Sequence, residues 1–203
     1  MGDFSVYNFA LIVMCLLVAM TIHEYMHAYV GFKLGDTTAR DAGRLSLNPM
    51  HHIDPVMTVL LPAVTWVLWQ FIFLAAKPVP FHPGRVKFNE YGAALIAAAG
   101  PLSNLALAVV AAFVLKSADL SGFLLDAMSM FLVLNVALFV FNLIPIPPLD
   151  GSRVVYALAP EPVQDFMERI EPYGFMIIVA LILLGGFGSW LGNLNQQVLN
   201  IIL

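Results

Sequence analysis

The sequence predicts an all-helical bundle set in a membrane, with about four spanning helices, one re-entrant apolar segment and short strand-like loops. Three observations predict it. Of 203 residues, 61% are hydrophobic and 11% charged, whereas a soluble domain is about a quarter charged. The mean hydropathy is +0.87. The apolar residues are also gathered into runs of about 20, the length that crosses a bilayer.

The first run covers about 4–32 and stops at Gly35-Asp36. A polar stretch, KLGDTTARDAGRLSLNPMHHIDP, leads to the apolar segment 56–76. Next comes KPVPFHPGRVKFNEYG, whose prolines suit extended chain or turns. Spans follow at about 92–115 and 124–143, then a polar connector over 150–171 and a last span at about 173–190. The tail NLNQQVLNIIL is amphipathic and is expected at the membrane interface. No repeat or low-complexity tract interrupts this order, so residues 1–203 are expected to form a single membrane-embedded domain. The start MGDFSVYNF has no basic segment before its apolar run, so no cleavable leader is expected.

Basic residues set the orientation. Lys33, Arg40 and Arg44 follow the first span; Lys77, Arg85 and Lys87 follow segment 56–76; Arg153 and Arg169 follow the span at 124–143. Only Lys116 lies in the 116–123 turn. These three groups share one face only if 56–76 enters and leaves by the same side, with Pro62 helping it turn. Such backbone is tolerated where protein or a wet cavity covers it. This places the N-terminus outside and the basic loops in the cytoplasm.

The net charge of −4 is small and dispersed, which implies no nucleic-acid partner. Cys15 is the one cysteine, so it has no partner within the chain for a disulfide; set in an apolar run, it is expected to be a buried small side chain.

The chemistry is concentrated in HEYMH, residues 23–27. Positions four apart on a helix lie about 40° apart in azimuth and about 6 Å apart along the axis. His23 and His27 therefore face one way, with Glu24 on the flank. H-E-x-x-H places two imidazoles on Zn²⁺ and a glutamate as general base. The motif is short and also occurs by chance in soluble helices. Here it sits inside a span, where a central charge costs about 3 kcal/mol on insertion scales, and a divalent cation would supply the countercharge.

Zinc on two histidines needs a third protein ligand and an open position for water. Asp150, in NLIPIPPLDG, is the acidic residue just past the end of another span. Viewed alone, an Asp ahead of Gly-Ser and an apolar run suits a helix N-cap better than a ligand. Asp54 and Glu90 compete as ligands, although each precedes an apolar segment like a helix start. Depth favours Asp150: the span before it must run in the same direction as the first, which a re-entrant 56–76 allows. His51 and His52 belong to a polar loop, where solvated or hydrogen-bonded histidines are usual; His52 near the mouth of the site is a further expectation. His82 is expected to be a plain loop residue.

HEYMH at 23–27, GPLSN at 100–104 and NLIPIPPLDG at 142–151, in that order, resemble the site-2 protease family of intramembrane zinc metalloproteases. GRLSLNPMHHIDP at 43–55 and AKPVPF at 76–81 are similar to its small bacterial and archaeal branch. The resemblance covers nearly the whole chain. It implies Zn²⁺ held by His23, His27 and Asp150, with Glu24 as the catalytic residue. It implies that Asn142 contacts the substrate or the developing oxyanion, and that Asn104 is a polar group supporting the same site. The implied substrates are membrane proteins with a transmembrane helix; the orientation set by the basic loops is what places the site toward the cytoplasm. Such a helix must unwind locally; the extended stretches 43–49 and 77–88 would either offer it an edge strand or serve as ordinary connecting loops. The PDZ and CBS domains of some relatives are not expected here, and segment 56–76 is extra to the shortest relatives.

A metal-ion transporter, or a metal-binding membrane protein without hydrolysis, is the competing reading. It expects further ionisable residues along the spans, and apart from the HEYMH cluster the spans carry almost none. A structural protein with a dead site is the third class, against which Glu24 argues. Substrate identity and oligomeric state are not encoded in any motif.

Overall fold

A computed structural model describes residues 6–54, 77 and 79–203, and all regular structure among them is helical. Three helices are long and apolar enough to cross a membrane: α1 (Val6–Lys33), α3 (Asn89–Ser117) and α4 (Gly122–Asn142). A single turn, α2 (Thr38–Asp41), follows α1. After α4 come α5 (Asp150–Leu158), α6 (Glu161–Ile170), α7 (Gly174–Leu183) and α8 (Phe187–Ile202).

Cross-links at both ends show how the long helices run. At one end Tyr7 of α1 donates to Asp126 Oδ2 near the start of α4 at 2.8 Å. One turn or two further in, Cys15 lies buried against the Ala127 carbonyl. At the other end His27 of α1 meets the Ile96 carbonyl near the start of α3. Thus α1 and α4 run in parallel and α3 runs against both.

Small residues let the spans approach closely. Ala108, Ala111 and Ala112 of α3 pack on Leu132, Val136 and Val140 of α4. Between apolar helices in lipid, close backbone contact and polar links drive association, because lipid tails are as apolar as leucine. The outward faces stay apolar, as with Phe113, which is 69% exposed. The apolar stripe of α8, including Leu191, Leu194 and Val198, covers the α3–α4 seam. The amphipathic tail therefore uses its apolar face on the protein.

The last span differs from expectation. Over 173–190 the chain breaks at Gly185 and Gly186, both at positive φ, and Glu161–Leu183 and Phe187–Ile202 make a pair bent by 90°. Two glycines side by side impose no Cβ penalty on left-handed backbone, so a sharp turn forms there at little cost. The pair is either one broken span or a re-entrant loop, giving three to four spans in all. The 150–171 connector is itself helical, forming α5 and α6.

The strand-like loops do not form strands. Residues 43–54 and 79–88 contain 3₁₀ turns at Pro49–His51 and Pro83–Arg85, and no ladder is present among the described residues. Proline at the start of each turn fixes φ and withholds a donor that a ladder would need. The loops are instead tied by individual bonds. Asp36, 2% exposed, accepts from the Thr38 N–H and hydroxyl and, at 2.7 Å, from the His82 N–H. Burial pushes the Asp36 carboxyl up, but these donors outweigh it and hold the group below its ordinary value.

The expected re-entrant segment 56–76 lies outside the described residues. Its described flanks are neighbours: Lys77 N–H donates to the His52 carbonyl at 3.0 Å, and Lys87 N–H to the Leu34 carbonyl at 2.9 Å. Residues 34–88 thus begin and end at the same end of the bundle. Single cysteines at the exposed positions Arg40 and Arg85, in a Cys15→Ser background, should be labelled from the same side of sealed vesicles. Labelling from opposite sides would contradict this arrangement.

Candidate metal centre

The HEYMH motif lies on the last two turns but one of α1, and all three of His23, Glu24 and His27 are buried. Their helical spacing puts the two rings together, with Nε2 of one 3.0 Å from Nε2 of the other. Asp150 completes the group: its Oδ2 lies 3.1 Å from His23 Nε2 and 3.3 Å from His27 Nε2.

Asp150 reaches this position through the proline-rich link after α4. Residues 143–149 fold into consecutive turns, with Ile146 N–H on the Ile144 carbonyl and Leu149 N–H on the Ile146 carbonyl. Gly151 then sits against the Leu143 backbone, where any Cβ would overlap. Leu149 occupies the cap position of α5 and Asp150 is its first helical residue. The Asp150 side chain is consequently free of capping and turns to the histidines. Of the competing acids, Glu90 is exposed in the first turn of α3, and Asp54 lies in the loop before segment 56–76.

The Nδ1 atoms of both rings point away from Asp150 and act as donors. His27 Nδ1 lies 2.7 Å from the Ile96 carbonyl, which only accepts, so Nδ1 carries the hydrogen. The same follows for His23 from a longer chain. Asn135 Nδ2 donates to the Phe131 carbonyl at 2.8 Å, leaving Asn135 Oδ1 to accept from Asn104 Nδ2 at 2.9 Å. Asn104 Oδ1 therefore faces His23 Nδ1, at 2.6 Å, and Nδ1 must donate. In a neutral imidazole only one nitrogen bears a hydrogen, so both Nε2 atoms turn a lone pair inward.

The buried Asp150 Oδ2 has no hydrogen-bond donor. Two ring nitrogens and a carboxylate oxygen thus converge within 3.3 Å. With the rings neutral and the carboxyl ionised, they form a ligand set for a cation. Donors about 2.0–2.1 Å from a tetrahedral zinc would lie about 3.3 Å apart, close to the separations seen here. The residues present therefore fit a divalent metal ion.

Gly100 leaves the room. Helix α3 passes directly over the ring pair, and a Cβ at Gly100 would overlap the His27 ring and lie 2.6 Å from His23 Nε2. Glu24 is buried on α1 next to His23 in sequence. Asn104 is wholly buried, its amide shared among His23, Asn135 and the Ala19 carbonyl. Asn142 is half-buried and donates to the Leu138 carbonyl of its own helix. His52 is buried within its own loop, with Nε2 2.8 Å from the Ser46 carbonyl. Sequence reasoning missed Asn135, although an amide in the apolar run LVLNVALF is itself a signal, for the reason that singled out the histidines.

The model of peptidase family M50 matches residues 116–185. A Bacillus subtilis protein named "Putative zinc metalloprotease YwhC" is 38% identical over 190 residues, covering 88% of this chain and 84% of that one. A Methanocaldococcus jannaschii protein of the same description, MJ0611, is 32% identical over 75% of each chain. Rip2 of Mycolicibacterium smegmatis is 25% identical over 90% of this chain and 70% of its own. No solved structure matches the chain.

Gly100→Ala tests the crowding over the rings. Alanine is the better helix former by about 1 kcal/mol, so helix propensity alone would stabilise α3. The expected result is a folded protein whose bound metal falls well below one per chain by elemental analysis. Undiminished metal would show that the rings yield to a methyl group.

Proposed function

Because the chain belongs to peptidase family M50, the site-2 protease family, and is a zinc metalloprotease with membrane spans, we propose that it hydrolyses peptide bonds within or near the transmembrane helices of other membrane proteins. The observation that carries the proposal is the meeting of His23, His27 and Asp150 between membrane-length helices, with Glu24 beside them. Residues 1–203 act as one catalytic domain.

His23 Nε2, His27 Nε2 and Asp150 Oδ2 would hold Zn²⁺. When bound, Zn²⁺ supplies polarisation of a carbonyl and a water acidified toward a pKa of about 7. Glu24 takes the proton of the attacking water and delivers it to the leaving amine. Asn142, at the end of α4 before the proline-rich link, donates a hydrogen bond where negative charge develops. Asn104 holds His23, and His52 lies toward the mouth of the site. The substrate helix must unwind, since its own hydrogen bonds shield each peptide group.

The site faces the cytoplasm. It lies where α1 ends, α3 begins and α4 is followed by Asp150, and eight of the nine Lys and Arg residues belong to segments at these helix ends. Basic residues in short loops remain cytoplasmic.

Glu24→Gln keeps the shape of the side chain and removes the base. The variant should retain its zinc while cleavage of reconstituted single-span substrates falls by about 10²–10⁴, the worth of general base catalysis. Cleavage equal to wild type would remove Glu24 from the mechanism.

A further inference from the structure

Asn135 is fully buried in the middle of α4 and touches neither the metal ligands nor Glu24 by any hydrogen bond. Its amide nevertheless is bonded on both sides, to the Phe131 carbonyl and to Asn104. The two histidines are secured differently. His27 leans on a backbone carbonyl, which cannot turn round and can only accept. His23 leans on the side-chain amide of Asn104, which presents an acceptor one way and a donor when rotated.

We propose that Asn135 is a positioning residue for the metal centre: by fixing the Asn104 amide it holds His23 in the one tautomer whose Nε2 can bind a metal. The inference rests on the reading of His23 as a metal ligand.

The argument follows the direction of each bond. The Phe131 carbonyl accepts only, so the Asn135 amide has one orientation, and its Oδ1 faces Asn104. That oxygen demands the Asn104 NH₂ group, which leaves Asn104 Oδ1 for His23. Without Asn135, the orientation of Asn104 depends on the Ala19 carbonyl alone, at 3.4 Å, beyond the usual length of an N–H···O bond. A rotated Asn104 would donate to His23 Nδ1. The ring hydrogen would then sit on Nε2, covering the lone pair that faces Asp150 and His27. Partners that orient ligating histidines typically change metal affinity by about 10–100-fold when removed. Asn135 also links α4 to α3, so a purely structural role is the alternative that the test must separate.

Co²⁺ serves as the probe, because its visible absorption reports ligand type and geometry. The full-length protein in detergent is stripped of metal. Wild type, His23→Ala and Asn135→Leu are titrated with Co²⁺ against a competing chelator, and metal-free thermal midpoints are measured separately. Leucine keeps the branched outline of asparagine, with more bulk, and suits an apolar span. We expect Asn135→Leu to bind Co²⁺ about 10–100-fold more weakly, with altered visible bands, whatever its metal-free midpoint. Wild-type affinity and spectrum in Asn135→Leu, with or without a lowered midpoint, would overturn the inference and leave a structural link only. If wild type itself binds no Co²⁺, or binds it as His23→Ala does, the ligand assignment fails and the inference falls with it. Should Asn135→Leu fail to fold, Asn135→Ala carries the same expectations without adding bulk.

Discussion

Two imidazole nitrogens and a carboxylate oxygen face one another within 3.3 Å at the ends of apolar helices. Neutral rings and an ionised carboxyl so placed form a ligand set for a cation. Charged and polar side chains in or beside a span are costly, and here three converge on one point. The arrangement of the helices around this point follows from that convergence.

Each part of the bundle helps to present the ligand atoms. Helix α1 fixes the two rings a turn apart. The Ile96 carbonyl and the Asn104–Asn135 pair engage the Nδ1 atoms, which turns both Nε2 atoms toward Asp150. Helix α3 crosses at Gly100, where the absent side chain leaves the Nε2 atoms uncovered. The proline-rich link after α4 then delivers Asp150, with Gly151 allowing the close backbone approach. A scaffold that presents its ligands in this way preorganises them before any metal arrives.

Much of this was visible in the residues. Spacing alone paired His23 with His27, and the depth argument preferred Asp150 over Asp54 and Glu90. What spacing left open was whether Asp150 caps its helix, because Asp-Gly-Ser suits both roles; the fold decides it by placing Leu149 at the cap. GPLSN drew attention through resemblance, but the physical task of Gly100 became apparent only from the crossing of α3 over the rings. Asn135 escaped notice because a single amide has no motif, and its partner is 31 residues away. The break at Gly185-Gly186 was marked by the glycine pair, yet the hydropathy of its surroundings read as one continuous span. The loops 43–49 and 77–88 have strand-like composition but no neighbouring strand among the described residues, and a ladder requires one.

The most direct test of the account is zinc X-ray absorption on the purified, zinc-loaded protein. It predicts nitrogen and oxygen ligands at about 2.0–2.1 Å, with the scattering signature of two imidazoles and no sulfur shell near 2.3 Å. His27→Ala should lose one imidazole from that signature, and Asp150→Ala should lose zinc or replace an oxygen ligand without changing the imidazole count. A spectrum without imidazole, or one unaltered by both substitutions, would contradict the metal centre described here.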